Sequence, residues 1–171
     1  GANALTSGED PDYGTDMLNG GLFYNYYKTS DDRYISVGSL EPNFALALLS
    51  LLELEEWKSK IGDQSPAMQK QISEAISEKV GAQSLTHWQA EFAKIDACVE
   101  PVLTMNEAFK HPHFIERGMV TRAIGNNNSE IKQINTALPF KRQEAHKAGG
   151  KLGADTLSIM QSLGYSDEQI S

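Results

Sequence analysis

The chain has 171 residues, 40% hydrophobic and 22% charged, with 15 Lys+Arg against 23 Asp+Glu and a net charge of −8. That length and make-up suit one soluble domain, or a small domain with an arm, and the acidic balance speaks against nucleic acid, which needs a basic patch. The longest mostly apolar run, Phe44–Leu52, falls far short of the roughly 20 residues of a membrane span, and the lone Cys98 excludes an internal disulfide framework and fits a reducing cytosol.

Residues 1–20 read as a loop-like arm, because Gly8-Glu9-Asp10-Pro11-Asp12 and Tyr13-Gly14 hold neither a helical nor a strand period. The polar start is not a signal-peptide pattern, and Gly1-Ala2-Asn3 lacks an initiator Met, so the expectation is a chain cut from something longer. Residues 22–39 read as a β-hairpin: aromatic-rich Phe23–Lys28, turn residues Thr29-Ser30-Asp31-Asp32, then alternating Arg33–Gly38. Glu41-Pro42 opens a helix, since proline suits the first helical position. Its Phe44, Leu46, Leu48, Leu49, Leu51 and Leu52 are apolar on more than one face, which predicts burial, and Trp57–Ile61 extends it or forms a short second piece.

Ser65-Pro66 starts the next helix, with Met68, Ile72, Ala75, Ile76 and Val80 at helical spacing and Gly81 at its end. Thr86-His87-Trp88-Gln89 has the capping-box pattern of a third helix, with Trp88, Phe92 and Ile95 as its stripe. A short extended piece, Cys98–Leu103, precedes a second capping box, Thr104-Met105-Asn106-Glu107. His111-Pro112-His113 interrupts the helical turn and a further turn stops at Gly118. Strands are expected over 119–124 and 131–137 around the polar turn 125–129, then an irregular linker over 139–151 and a helix over 155–163. This order is α+β, without the βαβ series of a doubly wound sheet.

Groups that carry chemistry are sparse. His111 and His113 read as a surface corner, because no third ligand stands at metal spacing; His87 reads as exposed on a helix turn, and His146 lies in the linker. Cys98, between Ala97 and Val99, reads as a buried inert thiol. Gly149-Gly150-Lys151-Leu152-Gly153 follows a linker rather than a strand, so it reads as a turn and not a phosphate cradle. Glu41 sits where a strand ends and a helix begins, and on residue chemistry alone it is a carboxylate favoured by the helix dipole.

Taken as a run, the chain is more specific. Asp16-x-Leu18-x-Gly20-Gly21-x-Phe23-Tyr24-x-x-Tyr27-x-x-x-Asp31-x-Arg33-Tyr34-Ile35-x-Val37-Gly38-x-Leu40-Glu41-Pro42-x-Phe44 resembles the second-domain signature of the class III CoA-transferase family, nearest its α-methylacyl-CoA racemase branch. Asp96-Ala97-Cys98-Val99-x-Pro101-Val102, His113-Phe114-x-x-Arg117-Gly118-Met119 and Leu163-Gly164-Tyr165-Ser166-Asp167-Glu168-x-Ile170 follow in the same order. The resemblance implies the C-terminal half of such a protein. Residues 1–20 would be an arm from a Rossmann-like large domain, 21–138 a small α+β domain of antiparallel strands with flanking helices, and 139–171 a linker and tail helix returning to the large domain.

The implied chemistry is proton transfer at the α-carbon of a 2-methylacyl-CoA thioester, in an interlocked homodimer of the cytoplasm. It involves no cofactor other than the coenzyme A thioester as substrate, no membrane and no nucleic acid. Glu41, in Gly38-x-Leu40-Glu41-Pro42, is similar to the family residue that pairs with a catalytic His on the other half. Gly20, Gly21 and Tyr24 are expected to shape the acyl pocket; read without the resemblance, the glycines are turn positions and Tyr24 is core. The chain departs from the pattern in having no proline in Gly21-Leu22-Phe23-Tyr24 and Asp31-Asp32 for Asp-Gly at the hairpin turn. The other readings are a CoA-transferase moving CoA between carboxylic acids and a non-catalytic interaction module.

Overall fold

The computed structural model describes residues 2–8, 10, 13–14, 18, 20–125, 127–136 and 145–170. The chain divides into two units, 1–102 and 103–171. The boundary expected at 138/139 lies outside the described residues, as do Asp16 and the end of the strand expected at Ala137.

The first unit is a three-stranded antiparallel sheet with helices against one face. β1 (Tyr24–Lys28) and β2 (Tyr34–Gly38) form the expected hairpin, and β3 (Val99–Pro101) pairs with β2, giving the order β1-β2-β3. Successive strand side chains point to opposite faces, so Tyr27, Ile35, Val37 and Val99 turn inward while Tyr24, Tyr26 and Tyr34 stay exposed. Three helices supply the other half of the core. In α2 (Pro42–Leu51) Ala45, Leu48 and Leu49 are buried, in α3 (Pro66–Gly81) Ile72, Ile76 and Val80, and in α4 (Leu85–Phe92) Leu85, Trp88 and Phe92. Each set repeats at three or four residues, which makes one apolar stripe per helix. The buried indole N–H of Trp88 is satisfied by the carbonyl of Val80 at 2.8 Å.

Several local expectations change. The arm contains a short helix, α1 (Ala2–Ser7), where no regular structure was expected. Of the two readings of Trp57–Ile61, the short second piece holds: Trp57 lies in a 3-10 turn, Glu55–Lys60, separate from α2. Ser65 occupies the N-cap of α3 but its side chain makes no capping bond; its N–H donates to Asp63 instead. The cap of α4 is Ser84 rather than Thr86, its hydroxyl accepting from His87 N–H. The helix therefore starts earlier, Leu85 joins the stripe, and Ile95 beyond the end is exposed.

The second unit carries α5 (Met105–Ala108), α6 (Pro112–Glu116), strands β4 (Val120–Ile124), β5 (Glu130–Ile134) and β6 (Ala145–Lys147), then α7 (Thr156–Ser162) and α8 (Asp167–Ile170). Thr104 and Glu107 close the predicted capping box on α5 in both directions. β4 and β5 form the expected hairpin, while β6, within the stretch read as an irregular linker, pairs parallel to β4.

Candidate functional site

The Gly20–Phe23 turn that leads into β1 positions two of the predicted site residues. Gly20 has φ +79, and a Cβ there would stand 2.4 Å from the Tyr13 ring. The positive φ favours glycine, because L side chains rarely adopt it, whereas a methyl there would require the exposed Tyr13 ring to move aside. The turn is held by hydrogen bonds. Tyr24 N–H donates to the Gly21 carbonyl at 2.9 Å, and the Tyr27 hydroxyl donates to the Leu22 carbonyl at 2.6 Å. Burial pushes the Tyr27 pKa up to about 12, so the phenol stays a neutral donor.

Two concavities flank this turn. The larger, of about 570 Å³, runs from Gly20, Gly21 and Leu22 across Leu40 and Ile61 to Gln69, Lys70 and Ser73 of α3. It has an apolar floor and a polar helical wall, the usual mixture for a small-molecule cleft. The smaller, of about 300 Å³, lies on the outer face of β1 and β2 and takes in Gly20, Tyr24, Tyr26 and Gly38. Gly20 thus belongs to both, Gly21 to the larger and Tyr24 to the smaller. Tyr24 is 44% exposed on the outer sheet face, which removes the reading that it is a core residue.

Glu41 lines neither concavity, although its neighbour Leu40 lines the larger. It is the N-cap of α2, with extended backbone at φ −76 and ψ 141, and its side chain is exposed and makes no capping hydrogen bond. Ser, Thr, Asp and Asn are the residues that cap well. A longer carboxylate in that position, unused by the helix, remains available to an outside group.

Cys98 corrects the sequence reading: it is exposed, not buried. Its backbone is left-handed, φ +50, and its carbonyl accepts from Gly38 N–H at 2.9 Å. Partial desolvation, then the carboxylates of Asp96, Glu41 and Glu100, push its pKa up, so the thiol stays protonated and is a poor nucleophile. These carboxylates also mark the Glu41 edge as acidic. His87, His111 and His113 are exposed, as expected, while the side chain of His146 lies outside the described residues. Among the described residues no group of three or more His, Cys, Asp or Glu could hold a metal, and no helix is long and apolar enough to cross a membrane.

Sequence reasoning missed Asn25 and Tyr13. The Tyr13 hydroxyl donates to Asn25 Oδ1 at 2.7 Å, and Asn25 Nδ2 donates to the Gly20 carbonyl at 3.2 Å. The available signal was an Asn inside an aromatic strand, a residue type depleted there.

The chain matches the family model described as CoA-transferase family III over residues 2–156. It is 34% identical over 164 residues to the alpha-methylacyl-CoA racemase of Mus musculus, covering 92% of this chain and 41% of that protein. The alpha-methylacyl-CoA racemase of Homo sapiens is also 34% identical, over 166 residues, with the same coverage of 92% and 41%. The chain therefore spans about 41% of the length of these curated relatives. The crystal structure of a CAIB/BAIF family protein from Brucella suis superposes with a TM-score of 0.68 and 21% identity, over 95% of this chain and 43% of that one, a likeness in fold. The mixed helices and antiparallel strands of the first unit, the glycine turn and the family match over most of the chain lead to one conclusion: the chain belongs to CoA-transferase family III.

Proposed function

We propose that this chain is the C-terminal part of an α-methylacyl-CoA racemase-like enzyme, which removes and returns a proton at the α-carbon of a 2-methylacyl-CoA thioester. The observation that carries the reading is Glu41, an exposed carboxylate that occupies a helix N-cap without capping it. The 34% identity to racemases over 92% of the chain supports it. In this reading the proton-transferring acid and base come from residues outside this chain, one of them a histidine. Glu41 is the carboxylate that accepts the other ring N–H of that histidine. Such a partner fixes the tautomer and favours the imidazolium formed when the α-proton is taken. Removing the proton leaves an enolate whose oxygen needs preorganised donors. Gly20, Gly21 and Tyr24 shape the space for the acyl group. The CoA thioester is substrate and no separate cofactor enters, and the enzyme is a cytoplasmic homodimer with interlocked protomers.

The family description names CoA transfer, which favours a second reading, transfer of CoA between carboxylic acids. Full-length protein in deuterated water with a 2-methylacyl-CoA separates the two. Deuterium at the α-carbon supports the racemase reading. CoA appearing on an added free acid, without α-exchange, supports the transferase. The 171-residue chain alone is expected to do neither, and α-exchange by it would contradict the assignment of acid and base to residues elsewhere.

A further inference from the structure

We propose that Asn25 is a positioning residue, whose carboxamide holds the Gly20–Phe23 turn against β1 and so fixes the wall shared by the two concavities. The inference rests on the reading above, in which these concavities receive the acyl group. Asn25 Oδ1 accepts from the Tyr13 hydroxyl at 2.7 Å and from Tyr26 N–H at 2.8 Å, while Nδ2 donates to the Gly20 carbonyl at 3.2 Å. Two donors converge on the oxygen and an acceptor faces the nitrogen, so both ends of the amide are used and its orientation is determined. The ring of Tyr13 lies against Gly20, 2.4 Å from where a Cβ would stand. Tyr13, Asn25 and Gly20 therefore form a closed circuit, ring on backbone, hydroxyl on carboxamide, carboxamide on carbonyl.

This circuit differs from the ladder that holds β1. Asn25 stands opposite Val37 in the hairpin register, and a β-branched residue would suit that position better than Asn. What Asn adds is a reach beyond its own strand to Gly20, the residue common to both concavities. A shift of that carbonyl reshapes both at once.

The test is Asn25→Thr, a good strand former without the carboxamide, in the full-length protein. Loss of these bonds is expected to raise amide exchange at Tyr24 and Tyr26 about tenfold, with Ile35 and Val37 unchanged. KM for the acyl-CoA is expected to rise about tenfold while kcat holds within about a factor of two, the pattern of lost positioning rather than lost chemistry. Asn25→Asp, which keeps the accepted bonds and loses the donated one, is expected to recover part of both effects. Unchanged exchange at Tyr24 overturns the proposal. So does an equal rise at Ile35 and Val37, which makes Asn25 a scaffold residue, and so does faster turn exchange with an unaltered KM. A wild type without α-proton exchange would sink the racemase reading, while the amide data still decide whether Asn25 holds the turn.

Discussion

The two units handle apolar residues in opposite ways. In residues 1–102, Ile35, Leu48, Leu49, Leu52, Ile72, Ile76 and Val80 are almost fully buried where three helices meet one sheet face. In residues 103–171, Ile115, Ile131, Ile134, Leu157, Ile159 and Leu163 are more than half exposed, and Ala123 is the one buried hydrophobic among the described residues. Both stretches have regular elements, so secondary structure alone does not make a core. A core needs several apolar stripes to converge, and the described residues of the second unit bring no such set of buried stripes together.

The largest expected effect follows directly. Ile76→Ala should cost about 2–5 kcal/mol in urea unfolding, as large-to-small changes at buried positions do. Ile134→Ala should stay within about 0.5 kcal/mol. Similar losses at the two sites would erase the contrast. Exposed apolar surface of this kind drives association, so the 171-residue chain is expected to scatter light as a dimer or larger species. A clean monomer at high concentration would show the second unit to be self-sufficient.

Helix ends sharpen the comparison. α2, α6 and α7 all close with the paired bonds of a Schellman motif: Leu54 N–H to Leu49 and Glu53 N–H to Ser50, Met119 to Phe114 and Gly118 to Ile115, Tyr165 to Met160 and Gly164 to Gln161. The left-handed residue is glycine in the second unit, Gly118 at φ +60 and Gly164 at φ +87, but Glu53 at φ +56 in the first. The buried pair Leu49 and Leu54 holds the first unit's motif together despite the side chain. Glu53→Gly should therefore stabilise by about 1 kcal/mol, while Gly118→Ala should destabilise by a similar amount. The ion pair of Glu53 with Lys79 at 3.2 Å is exposed and offsets little.

A smaller effect concerns Asp31, whose carboxylate accepts from the Thr29 hydroxyl at 2.6 Å and from Leu85 N–H at 3.0 Å. The Thr29 bond, then the Leu85 bond, hold its pKa below the usual carboxylate range. A depressed folded pKa contributes stability that is present above the unfolded pKa of about 3.9 and is lost as pH falls through the folded value. Wild type should lose more stability than Asp31→Asn between about pH 6 and pH 3. Parallel losses would mean that the carboxylate does not tie the hairpin turn to α4.

These contacts also explain what the sequence made legible. The hairpin, α2, α3 and the α5 capping box follow from local chemistry, and the folded chain keeps them. The cap of α4 does not, because Ser84 and Thr86 both offer capping hydroxyls and the Asp31 bond to Leu85 N–H, from a distant turn, favours the earlier start. β6 pairs with β4 across more than twenty residues, a partnership no local pattern announces. Cys98 was misread on its neighbours: Ala97 and Val99 are buried, but the left-handed backbone at Cys98, φ +50, sets its side chain apart from theirs and leaves it exposed. For the site, Gly20, Gly21 and Tyr24 do line concavities, whereas Asn25 was marked only by its residue type in an aromatic strand, because its bonds to Tyr13 and Gly20 form only in the folded turn.

The central claim is that Glu41 serves an outside imidazole rather than its own helix. Its most direct test is the rate of α-proton exchange of a 2-methylacyl-CoA in deuterated water by full-length wild type and Glu41→Gln, with urea stability measured on both. The account predicts a fall in kcat of about 10²–10⁴-fold with stability unchanged. Equal exchange rates, or a loss of rate matched by a loss of stability, would contradict it.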